Sequence, residues 1–244
     1  MAETLADVTG VILAGGLGTR LRSRIADRPK VLAPVHGRPY LAYLLDQLAG
    51  AGLRNVVLLT GYLAEQIRSE FGDSYAHLRL AYSVEPSPLG TAGALRQALP
   101  HLLTPTVLLL NGDSYCAASL FDFREFHNRQ GADFSLVLTP VEDCSRYGKV
   151  CLGPDDRVLR FEEKSQGAGA GWVNAGIYLL SRSLIEEIPT GDSVSLERDM
   201  FPTWAADKRC FGFPCHAQFL DIGTPESYAR AEAFFSPTAS NCPP

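Results

Sequence analysis

An α/β fold, with a mostly parallel mixed sheet between two helical layers, is predicted by three features of this 244-residue chain. Apolar strand-length runs alternate with helix-length segments through the first half, the pattern of right-handed crossovers between parallel strands. The first run, Val11 to Leu13, breaks into three glycines within four positions (Gly15, Gly16, Gly18), where the backbone can turn sharply and approach a ligand. Each stretch suited to chemistry falls at the carboxyl end of a strand, where open sheets of this Rossmann-like, three-layer α/β/α kind bind ligands.

The elements follow in order. After the first strand, Arg20, Arg22, Arg24, Arg28 and Lys30 stand against the single acid Asp27. Bare amides with guanidinium and ammonium groups over them outline a phosphate site. The glycine spacing fits neither a dinucleotide fingerprint, since Leu21 holds the third place, nor a Walker A loop. Pro39 to Leu48 has helical spacing and ends at Gly50 and Gly52. Asn55 to Thr60 is a strand, Tyr62 to Phe71 a helix stopped by Gly72, and Leu78 to Val84 a strand. Leu89 to Leu99 is a helix stopped by Pro100, and Thr106 to Leu110 an apolar strand.

Beyond about residue 115 the alternation loosens. A helix over Ser119 to Arg129 precedes a strand over Asp133 to Pro140. Short strands surround Val150 and Val158 to Phe161, Ser165 to Gly171 is a small-residue loop, and Val173 to Leu180 is a strand. Helical segments run to Ala206, a strand pair lies near 209–220, and Pro225 to Phe235 is a last helix. No repeat or linker divides the chain. One domain is expected over 1–235, with two lobes near 8–113 and 114–220 and a flexible tail at 236–244.

Composition narrows the class. The net charge of −5 excludes a broad nucleic-acid-binding face and concentrates the cations in one loop. No apolar segment approaches the ~20 residues of a membrane span, and the N-terminus lacks signal-peptide regions. The six cysteines (Cys116, Cys144, Cys151, Cys210, Cys215, Cys242) form no C-x-x-C pair, as reduced thiols in a cytoplasmic protein would not. A homo-oligomer is compatible with these features; they do not specify one.

Two carboxylates stand out. Asp113 ends the strongest apolar strand, where its alternative is helix capping. Asp221 precedes Thr224-Pro225, which fill the cap and first-turn positions and leave Asp221 free. Two such carboxylates near a phosphate loop suit a Mg²⁺ ion shared with nucleotide phosphates.

Six motifs carry a resemblance. Gly15-Gly16-Leu17-Gly18-Thr19-Arg20 with Pro29-Lys30, then Pro88-Leu89-Gly90-Thr91-Ala92, Asn111-Gly112-Asp113, Glu162-Glu163-Lys164, Asn174-Ala175-Gly176 and Asp221-Ile222-Gly223-Thr224-Pro225 together resemble the sugar-1-phosphate nucleotidyltransferases. The resemblance runs in order from about residue 8 to 235. It implies in-line attack of a sugar-1-phosphate oxygen on the α-phosphorus of a nucleoside triphosphate, with pyrophosphate leaving. The protein then supplies position and charge stabilisation.

The same resemblance implies the roles. Arg20 grips the leaving phosphates, Lys30 lies near the α-phosphorus and Lys164 holds the attacking phosphate. Asp113 and Asp221 carry Mg²⁺. Leu13, Ala14, Gly15, Gly16, Gly18, Thr19, Glu85, Pro88, Gly90, Thr91, Asn111 and Gly112 bind the nucleotide, and Gly148, Glu163, Lys164 and Asn174 the sugar. Ser114 and Cys116 are left as local structure. Glu85 stands where the family reads the base edge. An ionised carboxylate only accepts hydrogen bonds, and guanine presents two adjacent donors, so GTP is expected. Ser193 to Asp199 with Phe211 to Pro214 resembles the branch acting on D-glycero-α-D-manno-heptose 1-phosphate. The mannose-1-phosphate guanylyltransferases share the nucleotide half. Other enzyme readings are UTP or dTTP specificity; outside catalysis, a nucleotide-sensing subunit on the same fold is the alternative.

Overall fold

The computed structural model describes residues 4–16, 18, 21, 25, 27–162, 169–191 and 193–236. In the first half, β1 (Thr9–Leu13) leads through a 3₁₀ turn (Lys30–Leu32) and a small hairpin, β2 (Pro34–Val35) and β3 (Arg38–Pro39), to α1 (Tyr40–Gly50). Then come β4 (Asn55–Thr60), α2 (Ala64–Phe71), β5 (Ser74–Tyr75), β6 (Leu78–Val84), α3 (Gly90–Gln97) and β7 (Thr106–Asn111). The second half contains β8 (Ser114–Cys116), α4 (Leu120–Gln130), β9 (Phe134–Val141), β10 (Lys149–Leu152), β11 (Val158–Glu162), β12 (Gly171–Ser181) and α5 (Arg182–Glu186). A π-helical turn (Leu196–Met200) runs into α6 (Phe201–Asp207), followed by β13 (Cys210–Pro214), β14 (Phe219–Asp221), α7 (Pro225–Tyr228) and α8 (Ala231–Phe234).

The main sheet has eight strands in the order β13-β9-β12-β7-β1-β4-β6-β5. Pairs β7–β1, β1–β4, β4–β6 and β13–β9 are parallel, while β12 runs antiparallel to both neighbours. Side-chain alternation along each strand divides the core into two. Ile12, Val56, Leu58, Leu108 and Leu110 face a layer containing α1, α2 and α4, whereas Val11, Val57, Leu59 and Leu109 face α3, α5 and α6. This is the three-layer mixed-sheet arrangement expected from the sequence.

Several boundaries differ from expectation for local reasons. The helix expected from Tyr62 starts at Ala64, because Leu63 has a left-handed φ of 53°. Pro100 lies inside a 3₁₀ turn, Leu99–His101, instead of ending the α-helix. The last helix is two short pieces on either side of Ala229 and Arg230. The strands near 209–220 are present but do not pair with each other: β13 lies on β9, and β14 pairs with β8. Of the loop expected at Ser165 to Gly171, residues 165–168 lie outside the described residues and Gly171 already begins β12. The tail beyond Ser236 also lies outside them.

Two backbone contacts draw the second half over the strand ends. Gly90 opens α3 at φ +74°, and a Cβ there would lie 2.4 Å from the Val194 carbonyl oxygen. Val194 in turn accepts from the Ala92 amide at 2.9 Å and donates to the Leu89 carbonyl at 2.8 Å. Gly90→Ala therefore meets a backbone collision and an unfavourable φ together. It is expected to lower unfolding free energy by about 1–3 kcal/mol, measured by urea denaturation.

Candidate active site

The pairing of β14 with β8 assembles the site. Asp221 lies opposite Ser114 in that antiparallel register, and the Ile222 amide donates to the Asp113 carbonyl at 2.9 Å. Two aspartates 108 positions apart in the chain thereby become backbone neighbours. Helix capping is not the role of Asp113: β8 follows it, and α4 is capped by Ser119, whose Oγ accepts from the Asp122 amide at 3.2 Å. Thr224 takes the cap of α7, forming a reciprocal box with Ser227, as the sequence indicates.

Each carboxylate is held by one oxygen. Lys30 Nζ donates to Asp113 Oδ2 at 2.8 Å, and the Gly223 amide donates to Asp221 Oδ1 through a short contact. Asp113 Oδ1 and Asp221 Oδ2 have no partner among the described residues and remain as acceptors. The Lys30 side chain is 12% exposed and that of Asp113 45%, so the lysine is anchored while the carboxylate still meets solvent. Behind them Tyr40 is fully buried, and its hydroxyl has no hydrogen-bond partner among the described residues. Burial, and then the nearby charges of Asp113 and Asp221, push its phenol well above the usual tyrosine range.

These features fit a divalent cation. No group of three or more His, Cys, Asp or Glu side chains able to hold a metal occurs among the described residues. A Mg²⁺ site needs no such cage, since it combines one or two carboxylates with water and substrate phosphate. Asp113 Oδ1 and Asp221 Oδ2 could supply that half-site, and the Tyr40 hydroxyl, without a partner among the described residues, marks unmet polar demand beside it.

Asp113 borders a cleft of about 320 Å³ at the strand tips, with Asp221 beside it through the β8–β14 pairing. Of the residues singled out in the sequence, Leu13, Ala14, Gly15 and Gly16 line it from β1. Glu85, Pro88, Gly90 and Thr91 line it from the β6–α3 region, and Lys30, Asn111, Gly112 and Asp113 complete it. Close backbone approach explains two glycines. A Cβ on Gly112 would lie 2.1 Å from the Leu13 carbonyl oxygen, and one on Gly15 would lie 2.7 Å from Glu85 Oε1. Gly18, at φ +58°, packs over the Lys30 stem. Glu85 is fixed by the Leu89 amide, which donates to Oε2 at 3.0 Å.

A second, smaller cavity of about 150 Å³ contains Gly148 and Asn174, together with Lys149, Arg198 and Glu162. Asn174 is already engaged: its amide nitrogen donates to the Tyr178 hydroxyl at 2.8 Å, and its oxygen accepts from the Gly176 amide at 2.9 Å. Thr19, Arg20, Glu163 and Lys164 lie outside the described residues. Sequence reasoning overlooked Ser114 and Cys116 as the strand that positions Asp221, and Glu197, which lines both cavities. Glu197 falls within the Ser193 to Asp199 stretch singled out above by resemblance, but its support from Thr91, 106 positions away, gives no local signal.

The model of the nucleotidyl transferase family matches residues 9–237, and the chain belongs to that family. It is 36% identical over 222 residues to D-glycero-alpha-D-manno-heptose 1-phosphate guanylyltransferase of Aneurinibacillus thermoaerophilus, covering 91% of this chain and 96% of that protein. It is 38% identical to mannose-1-phosphate guanylyltransferase of Mycobacterium tuberculosis over 93% of this chain, but spans only 64% of that protein. The crystal structure of HddC from Yersinia pseudotuberculosis superimposes with a TM-score of 0.83 at 34% identity, covering 94% of this chain and all of that one. HddC has also been solved in complex with GMP-PN. No described helix is long and apolar enough to cross a membrane.

Asp113→Asn tests the cation half-site. The amide oxygen can still accept from Lys30, so the melting temperature should stay within about 2 °C, roughly 1 kcal/mol for a chain of this size. Mn²⁺ binding, followed by electron paramagnetic resonance with GTP present, should weaken at least tenfold, as expected when a charged ligand becomes neutral.

Proposed function

We propose that the protein is a sugar-1-phosphate guanylyltransferase, joining GTP and a sugar 1-phosphate into a GDP-sugar and pyrophosphate. The observation that carries this reading is the Asp113–Asp221 juxtaposition beside Lys30 at the mouth of the cleft. The relatives and the HddC–GMP-PN complex support the guanine nucleotide and the sugar phosphate as its substrates.

Two polyanions must approach each other here, and the cleft lining adds Glu85, Asp113 and Glu197 against Lys30 among the described residues. Such a site needs further positive charge. Mg²⁺ held by Asp113 and Asp221 would neutralise phosphate oxygens of both reactants. Lys30, anchored by Asp113, lies near the α-phosphorus and stabilises charge as it develops there. Arg20 grips the leaving β,γ-phosphates, and Lys164 the attacking phosphate. The glycine turn presents amides without Cβ interference. No side-chain nucleophile is required, because the sugar phosphate itself attacks.

Glu85 selects guanine. Its carboxylate offers only acceptors to the base edge, matching N1–H and the N2 amine and opposing the carbonyl oxygens of uracil or thymine. For the sugar, the heptose 1-phosphate reading is favoured by near-complete coverage of the compact Aneurinibacillus relative. Mannose 1-phosphate is favoured by the slightly higher identity to the longer mycobacterial one. The chain acts as one domain, with a nucleotide half near 8–113 and a sugar half near 114–220, in the cytoplasm.

Pyrophosphate release measured over GTP, UTP and dTTP against heptose and mannose 1-phosphates tests the reading. Turnover should occur with GTP and one or both of these sugars; activity confined to UTP or dTTP would contradict it. Glu85→Gln should reduce the preference for GTP over UTP by about tenfold, within the roughly 1–3 kcal/mol of a bidentate base contact. Asp113→Asn should cut kcat by about 10²–10³-fold with the fold intact, the scale of a lost charge-stabilising group.

A further inference from the structure

Glu197 stands on the π-helical turn Leu196–Met200 and lines both the main cleft and the smaller cavity. Its Oε2 accepts from two hydroxyls, Thr91 Oγ1 at 3.1 Å and Ser195 Oγ at 3.2 Å. Neither hydroxyl is free to turn away. Thr91 Oγ1 accepts from the Leu196 amide at 2.8 Å, and Ser195 Oγ accepts from the Arg198 amide at 3.3 Å. With those acceptor sites filled by backbone amides, each hydroxyl proton is directed at the carboxylate.

The consequence is an asymmetric carboxylate. Oε2 is occupied, whereas Oε1 has no partner among the described residues and stays available at the junction of the cavities. The wider π turn, in which the Met200 amide reaches the Ser195 carbonyl at 3.2 Å, presents the residue there. The turn is also clamped against α3, since Val194 is bonded to Leu89 and Ala92. Oε1 is therefore held in place before any ligand arrives. A fixed anion at this point repels phosphate and accepts only from donors, so its natural partner is a hydroxyl of the sugar ring.

We propose that Glu197 is a specificity residue for the sugar 1-phosphate, accepting a ring hydroxyl through Oε1 while Thr91 and Ser195 hold Oε2. This rests on the sugar-phosphate reading above and adds to it the group that senses the sugar independently of the guanine pocket. Thr91, at the start of α3 beside the nucleotide cleft, is the shared support. Nucleotide-side and sugar-side contacts thus meet in one hydrogen-bonded unit.

The test is steady-state kinetics of Glu197→Gln, with GTP and the sugar 1-phosphate varied separately, using whichever of the heptose and mannose 1-phosphates the wild-type protein turns over. The amide oxygen can keep both hydroxyl contacts, so the melting temperature should move by no more than about 2 °C. The amide nitrogen then faces the sugar and exchanges a charge-assisted bond for a neutral one. KM for the sugar 1-phosphate should rise at least fivefold, with KM for GTP within twofold. Ser195→Ala, which frees one side of the carboxylate, should raise the sugar KM about threefold with the same split. An unchanged sugar KM in Glu197→Gln overturns the inference while leaving the guanylyltransferase reading intact. So does an equal rise in both KM values in both variants, which indicates a purely structural brace. Failure of the wild-type protein to turn over any sugar 1-phosphate overturns the function proposed above, and this inference with it.

Discussion

The site depends on a three-residue strand pair that lies outside the main sheet but against its β7 and β12. β8 and β14 exchange backbone hydrogen bonds over Ser114–Cys116 and Phe219–Asp221, and the Ile222 amide closes the pair on the Asp113 carbonyl. Bringing two like charges together is unfavourable in itself. The fold offsets this locally, with Lys30 on one carboxylate and the Gly223 amide on the other. Both groups are placed by backbone, Lys30 by its 3₁₀ turn and Gly223 by the turn that enters α7. The repulsion that remains is what an added cation relieves.

Around that pair the sheet acts as a rigid frame. β1 and β7 are parallel neighbours with Leu13 opposite Asn111, so the glycine turn and Asn111-Gly112-Asp113 leave the sheet side by side. The contact of Gly112 with the Leu13 carbonyl is possible only without a side chain. β12 then returns antiparallel across β7 and brings Ala175 and the Gly176 bulge against Ser114 and Asn111. Two walls of the candidate site are in this way built on adjacent strands of one sheet.

Much of this was legible in the sequence. The alternation of apolar runs with helical segments fixes a two-face-covered sheet, since burial on both faces leaves few other arrangements. Glycines at strand ends and the Thr224-Pro225 cap carry local rules that tertiary context did not override. Contacts set by partners distant in the chain were less legible. Ser114-Tyr115-Cys116 looks like a loop because three residues carry too little periodicity to declare a strand. Its identity comes from β14, 105 positions later. The resemblance makes Asn174 a sugar-binding amide, yet a bulge that no pattern announces turns it onto Tyr178 and Gly176. Glu197 lies in a stretch singled out only by resemblance, and the docking of Thr91 beside it reveals the carboxylate as part of a cavity wall.

The most direct measurement is a crystal structure with Mg²⁺, a non-hydrolysable GTP analogue and a sugar 1-phosphate. The account predicts one ion coordinated by Asp113 and Asp221 together, at the roughly 2.1 Å typical of magnesium–oxygen bonds, and touching phosphate oxygens of the bound ligands. An ion bound away from these two side chains, or a triphosphate seated elsewhere than the cleft that Asp113 borders, would contradict it.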